Sequence, residues 1–170
     1  MNERFKFRLL SQNDKTQLDY LISTIELNLT NKEFWLPIDE TSREHFLDLN
    51  WTIFIGCFKN DALVAAAGLF LNAYEYSESL KYLNISGSIA EIGRLMVSPE
   101  YRGNDLAYTL SKQLINIAKL KNIDYLLATS HPNNLPSQIT LKKLGFSKKA
   151  NYIKQIYSRD ILCMEVKNAS

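Results

Sequence analysis

Residues 89–130 constrain the fold of this chain more than any other stretch. An apolar run, IAEIGRLMV, fills 89–97 and stops at Ser98-Pro99. Leu106, Leu110, Leu114, Ile117 and Ala118 then recur at helical spacing, which predicts a helix from about Asn104 to Leu120. A second run, IDYLLATS, occupies 123–130 and reads as a central strand, because it is strongly apolar. Strand, helix and strand in this order make a crossover unit. Such crossovers are right-handed and leave their two strands as parallel neighbours in one sheet.

The rest of the chain reads as mostly antiparallel. FKFRLL at 5–10 is a first strand. Ser11 to Asp14 mark a helix start, followed by Leu18, Leu21, Ile22, Ile25 and Leu29 at helical spacing. Residues 30–40, with Trp35 and Pro37, read as a loop, and a short helix starting at Thr41 or Ser42 carries Phe46, Leu47 and Leu49. WTIFIGCF at 51–58 and ALVAAAGLFL at 62–71 flank the turn signal Asn60-Asp61 and read as a hairpin. Residues 72–88 are polar and carry Tyr74, Tyr76 and Tyr82. They are too many for a hairpin connection, so a short helix, a flap or an interface are all open there. A last helix over about 135–144 ends at Gly145, and FSKKANYI and SRDILCMEV read as two closing strands. The fold class is α/β of the α+β type. It is read as a single domain over 1–170 with a mixed, mostly antiparallel central sheet, one parallel βαβ unit and helices on both faces.

Composition narrows the function classes. At 170 residues the chain fits one domain, and 46% hydrophobic with 22% charged residues excludes a disordered chain. No window reaches the ~18 apolar residues of a membrane helix, and MNERFKFRLL has no apolar signal core. No membrane partner and a cytoplasmic location are therefore expected. Cys57 and Cys163 lie in separate apolar runs and read as reduced core thiols. With only His45 and His131 beside them, no metal site is expected. Residues 1–105 carry 10 Lys and Arg against 15 Asp and Glu, and residues 106–170 carry 10 against 3, a split of −5 and +7. That asymmetry suits an anionic ligand on one side and a cationic one on the other. Two ordinary solvated faces account for it equally well. Nucleic acid is not expected, because no aromatics interleave a basic stripe.

The chemistry concentrates where strand 89–97 passes through VSPEYRGNDLA, residues 97–107, into the helix. A turn at a helix N-terminus aims unpaired N–H groups at one point, with the helix dipole behind them. Gly103 allows close approach to the backbone and Arg102 adds positive charge. The segment resembles the acyl-CoA binding segment of the GNAT N-acetyltransferase superfamily, whose signature is Gln/Arg-x-x-Gly-x-Gly/Ala after a Val-x-Pro strand end. Arg102, Asp105 and Ala107 fall on its three marked places, with Gly103, Asn104 and Leu106 between them. Asn134-Leu-Pro-Ser137 and Lys143-Leu144-Gly145-Phe146 resemble the family's second cofactor segment. The order of elements over the whole chain fits as well.

The resemblance implies acetyl-CoA as cosubstrate and no metal. Leu95, Met96 and Val97 would pair with the pantetheine arm in a gap between strands 89–97 and 123–130, and the Leu95 N–H would stabilise the oxyanion. Arg102, Gly103, Asn104, Asp105, Leu106 and Ala107 would hold the pyrophosphate. Asn134 and Ser137 would touch the cofactor arm, with Lys142 and Lys143 nearest for the 3′-phosphate. Glu91 matches a position where some members carry the base that takes the acceptor's proton, and an apolar setting would raise its pKa. A salt bridge to Arg94 is the alternative for Glu91, and His131 is the rival base. Two positions depart from the family. Asp105 stands where glycine is usual, read here as a first-turn residue favoured by the dipole. Leu141 stands where a tyrosine often protonates the thiolate, leaving solvent, Tyr152, Tyr74 or Tyr76.

The leading expectation is transfer of an acetyl group to a primary amine of a small molecule, amino acid or protein. A longer-chain acyl synthase and a weakly catalytic acyl-CoA-binding module stay open beside it. The acceptor pocket is expected around Trp35, Pro37, Tyr74, Tyr76 and Tyr152, with Glu33, Asp39, Glu40 and Glu44 adding negative charge. A homodimer through residues 72–88 is also open.

Overall fold

Helical spacing in the middle of the chain and apolar runs on either side produce the crossover. In the computed structural model, which describes residues 4–166, β4 (Ile89–Val97) is followed by α4 (Leu106–Leu120) and β5 (Tyr125–Ser130). β4 and β5 pair in parallel. Around them lie β1 (Lys6–Leu9), α1 (Lys15–Leu27), α2 (Glu40–Glu44), β2 (Thr52–Lys59), β3 (Ala62–Phe70) and α3 (Ser77–Leu80). α5 (Leu135–Lys143), β6 (Ser147–Lys154) and β7 (Tyr157–Glu165) complete the described residues. Among these residues the strands form one seven-stranded sheet in the order β1-β2-β3-β4-β5-β7-β6, antiparallel except for β4 with β5.

Helices cover both faces. On one, Leu106, Leu110 and Leu114 of α4 and Leu141 of α5 pack on Ile55, Leu126 and Leu162. On the other, Leu18, Leu21, Ile22 and Ile25 of α1 pack on Phe54 and Phe70. Each such buried leucine contributes about 1.5–3 kcal/mol relative to exposure, so these three helices are held by burial rather than by propensity. A third cluster, Tyr76 with Leu127 and Cys163, sits under the 72–88 connection. Both cysteines are free thiols and buried. No helix among the described residues is long and apolar enough to cross a membrane.

One element differs from expectation. The second helix starts at Glu40, because the Asp39 side chain accepts a hydrogen bond from the Ser42 N–H at 2.8 Å. It ends before Phe46, which packs in the core from the following turn. The 72–88 connection contains α3, the short helix among the options left open there, and its tyrosines divide between core and surface. Tyr76 is buried and donates to the Ile89 carbonyl at 2.8 Å, whereas Tyr74 and Tyr82 are exposed.

The parallel pair is short, and this positions the site. Only Ile89, Ala90 and Glu91 register with Tyr125, Leu126 and Leu127. Asp124 closes the entering end of the pair. Its carboxylate accepts from the Ser88 N–H at 2.9 Å and its own N–H donates to the Ser88 carbonyl at 2.8 Å. Beyond Glu91 the strands part. On its other side β4 bulges, since Ala66 faces Met96 and Gly68 faces Gly93, leaving Arg94 and Leu95 opposite Ala67 alone. Arg94 takes a left-handed φ of 49°, and a bulge of this kind bends the strand that carries it.

Candidate active site

The parting of β4 from β5 opens a cavity of about 640 Å³. Its walls come from β4, β5, the loop after α1, and the N-terminal ends of α4 and α5. Most of the residues singled out in the sequence meet there. Glu91, Leu95 and Val97 line it from β4. Arg102, Gly103, Asp105, Leu106 and Ala107 line it from the turn into α4, and Asn134 and Ser137 from the start of α5. Asn134 caps that helix, its side-chain oxygen accepting from the Ser137 N–H at 3.4 Å.

Met96 and Asn104, expected to contribute through their backbone, keep their side chains out of the cavity. The Met96 side chain is 1% exposed and packs with the α1 core, so only its backbone belongs to this stretch of β4. Asn104 does not line the cavity, and its amide donates to the Tyr101 carbonyl at 2.9 Å. Its work is to close the turn.

The turn explains its own departure from the signature. Asp105 is not a first-turn residue. It precedes the first residue of α4, with φ 53° and ψ 21°, and its side chain makes no capping bond. Left-handed backbone favours glycine, and Asp is one of the few other residues that visit it routinely. The carboxylate is exposed. Gly103 is also left-handed at φ 81°, and a Cβ there would meet no atom within 4 Å. Its requirement is therefore conformational.

Glu91 is 8% exposed, and its Oε2 has no hydrogen-bond partner. Burial pushes its pKa up to about 7, opposed by the charges of Lys154 and Arg94 and assisted by that of Glu75. Arg94 does not form the alternative salt bridge. Its guanidinium donates to the carbonyls of Leu36 and Pro37 and lies 5.0 Å from the Trp35 ring centre. Arg94 thus ties the loop after α1 to the bulge in β4, and its own pKa is lowered by burial.

His131 does not line the cavity. Its Nδ1 accepts from the Asn133 N–H at 3.1 Å, its Nε2 is 3.4 Å from Glu33 Oε2, and its ring lies against Phe34. Those contacts shape the loop after β5. The three tyrosines considered as proton donors are also outside the cavity. The Tyr152 hydroxyl pairs with Ser79 Oγ at 3.1 Å, and burial pushes its pKa up to about 12. Tyr74 donates to Asp39 at 3.4 Å, and Pro37 contributes a carbonyl to Arg94 rather than a wall. Lys143 lies 5.1 Å from the Tyr108 ring centre, and neither it nor Lys142 lines the cavity. Leu141 does, as a buried apolar wall.

Sequence reasoning missed Arg159, Lys154, Glu75 and Phe34, all of which line the cavity. Arg159 is 2% exposed. Its signal lay in the alternation of β7, where Arg159, Ile161 and Cys163 share one face. Among the described residues no group of three or more His, Cys, Asp or Glu could hold a metal ion.

Comparison with known proteins gives a consistent result. The model of the Acetyltransferase (GNAT) family matches residues 22–146. No curated protein sequence matches the chain. Among solved structures, an N-acetyltransferase from Staphylococcus aureus Mu50 is 22% identical, with a TM-score of 0.71, covering 97% of this chain and 99% of its own. The yncA protein from Salmonella typhimurium, solved with its cofactor acetyl-CoA, is 14% identical with a TM-score of 0.73, over 98% of this chain and 96% of its own. A ribosomal-protein-S5-alanine acetyltransferase from Vibrio fischeri is 12% identical with a TM-score of 0.75, over 100% and 97%. At these identities the structural likeness speaks to the fold.

Proposed function

Because this chain belongs to the Acetyltransferase (GNAT) family, we propose that it transfers an acetyl group from acetyl-CoA to a primary amine. The carrying observation is Glu91, a buried carboxylate with an unpartnered oxygen and a pKa near 7, in the cavity where β4 and β5 part.

An amine acceptor is an ammonium near neutral pH, with a lysine-like pKa of about 10. It must lose a proton before its nitrogen can attack. A carboxyl group titrating near 7 is ionised in part at neutral pH and takes that proton far more readily than an ordinary carboxylate would. Acetyl-CoA supplies the activated thioester carbonyl. The new N–C bond forms as the C–S bond breaks, and the sulfur leaves with its electron pair. Leu95 sits at the bulge in β4, so its N–H is the donor proposed for the developing oxyanion. Backbone groups of Arg102 to Ala107 at the N-terminus of α4 suit a pyrophosphate, and the Arg102 side chain adds charge. The exposed Asp105 carboxylate opposes that charge and weakens the turn without blocking it. Leu141 offers no proton, so the thiolate takes one from solvent.

The S. aureus, Salmonella and Vibrio structures support this reading through their fold, and the Salmonella one through the acetyl-CoA it holds. Calorimetric titration with acetyl-CoA tests it directly. A saturable 1:1 site is expected, and absence of binding would overturn the reading. Glu91→Gln is expected to keep that affinity and lose turnover.

A further inference from the structure

Beyond the bulge and the turn, the cavity holds a second buried group whose hydrogen-bonding capacity is unfilled. Resting on the acetyltransferase reading above, we infer that the acceptor carries a carboxylate beside its amine and that Arg159 binds that carboxylate.

Arg159 lines the cavity at 2% exposure. Its Nη1 donates to the Ser158 carbonyl at 2.8 Å, while its buried Nη2 has no partner. The neighbouring acid does not serve it. Asp160 alternates to the other face of β7 and is filled by Lys148, Asn151 and Gln138 at 2.8, 2.9 and 3.3 Å. Glu33 lies close enough to act on Arg159 through charge, but its carboxylate is half-exposed and sits against His131. Arg94 is consumed by Leu36 and Pro37. Lys154, which also lines the cavity, donates to the Glu75 carbonyl at 3.4 Å. Among the described residues, Arg159 is therefore the buried cation with a donor to spare. A guanidinium buried this way is costly unless an anion meets it, and a carboxylate accepts its parallel donors in a bidentate pair.

Register places this cation on the same side of the sheet as Glu91. Glu91 is level with Leu127, and Leu127 with Cys163. Arg159 is four residues from Cys163 on β7, an even step, so it shares the face of Glu91. Two strand spacings across and four residues along separate the two Cα atoms by ~16 Å. Two long side chains reaching inward, with a small zwitterion between them, fill that span. Glu91 receives the ammonium and Arg159 the carboxylate. A free amino acid has both groups on one carbon, whereas the N-terminus of a polypeptide has lost the carboxylate to a peptide bond.

The test compares free L-amino acids with their carboxamides as acceptors, after acetyl-CoA binding has been measured by calorimetry. Wild type is expected to favour the acids by at least about tenfold in kcat/KM, since a site built for a polar group rejects the analogue that lacks it. Arg159→Gln is expected to remove that preference, mainly through KM, with acetyl-CoA affinity unchanged. Arg159→Lys is expected to retain part of it, and if Arg159→Gln does not fold, this variant and the wild-type ratio decide. Equal rates for acids and amides in wild type would overturn the inference, as would an equal loss for both in Arg159→Gln. Acetylation of a peptide N-terminus in preference to every free acid would do the same. Loss of acetyl-CoA binding in wild type would instead strike the acetyltransferase reading, and this inference with it.

Discussion

Asp14 and Glu91 are both buried carboxylates, at 4% and 8% exposure, and their surroundings drive them in opposite directions. At the corner of β1 and α1, Asp14 accepts two bonds from Arg8, at 2.7 and 2.8 Å, and one from the Ser11 N–H at 2.8 Å. The Arg8 bond lowers its pKa to about 2, against the effect of burial. In the cavity, burial dominates for Glu91 and raises its pKa to about 7. The corner uses its acid to fix a helix start. The cavity leaves its acid unfilled, which costs stability and leaves a group able to exchange a proton. Burial alone therefore says little about a carboxylate, and the donors around it decide whether it builds structure or serves chemistry.

The largest expected effect breaks the comparison at the cavity. Glu91→Gln should lower kcat by about 10²–10⁴-fold, the usual worth of a general base. Steady-state rates at pH 7.5 beside the acetyl-CoA affinity would show it, and unchanged turnover would remove Glu91 from the mechanism. The same variant should reverse the stability balance. A carboxyl group whose pKa rises from 4.5 to about 7 on folding contributes stability below pH 4.5 that is lost as pH rises through 7. By linkage that difference is worth ~3 kcal/mol. Glu91→Gln should therefore gain on wild type across this window in urea unfolding, and parallel curves from pH 4.5 to 8 would count against it.

Asp14→Asn should do the opposite. Its lowered pKa contributes stability present above pH 4 and lost as pH falls through about 2. Discounted for the half-exposed Arg8, the loss at neutral pH is about 1–2 kcal/mol. Acetyl transfer should not change, and an activity loss at full folding would blur the distinction between the two acids. The smallest effect is at the turn. Asp105→Gly relieves a left-handed non-glycine residue, worth about 1 kcal/mol before the entropy glycine adds to the unfolded chain. It also removes a negative charge near the site proposed for the pyrophosphate. Acetyl-CoA should bind several-fold more tightly, and weaker binding in calorimetry would show that the Asp105 side chain supports the turn.

Much of this was legible because it is local. Leu106, Leu110 and Leu114 recur at helical spacing, so α4 and its buried face follow from the sequence. The arginine, the glycine and the helix start sit within six residues, so the turn from Arg102 to Ala107 could be read before any strand was placed. The conformation of Asp105 could not, because the same letters suit a first-turn residue and a left-handed one. The tyrosines of 72–88 were illegible for a related reason. Tyr74, Tyr76 and Tyr82 have similar surroundings in sequence, yet only Tyr76 is carried inward to the Ile89 carbonyl.

The sequence by itself determined the crossover unit, the two helix-covered faces and the anion-suited turn, since each depends on spacing within one segment. Tertiary structure decided the rest. It parted β4 from β5 after three registered pairs, and set Arg94 and Leu95 in a bulge that no residue pattern announces. It emptied the surroundings of Glu91 and brought Arg159, 68 positions later, onto the same face. Desolvation and unfilled donors depend on which distant segments pack together, and spacing within one segment does not encode that.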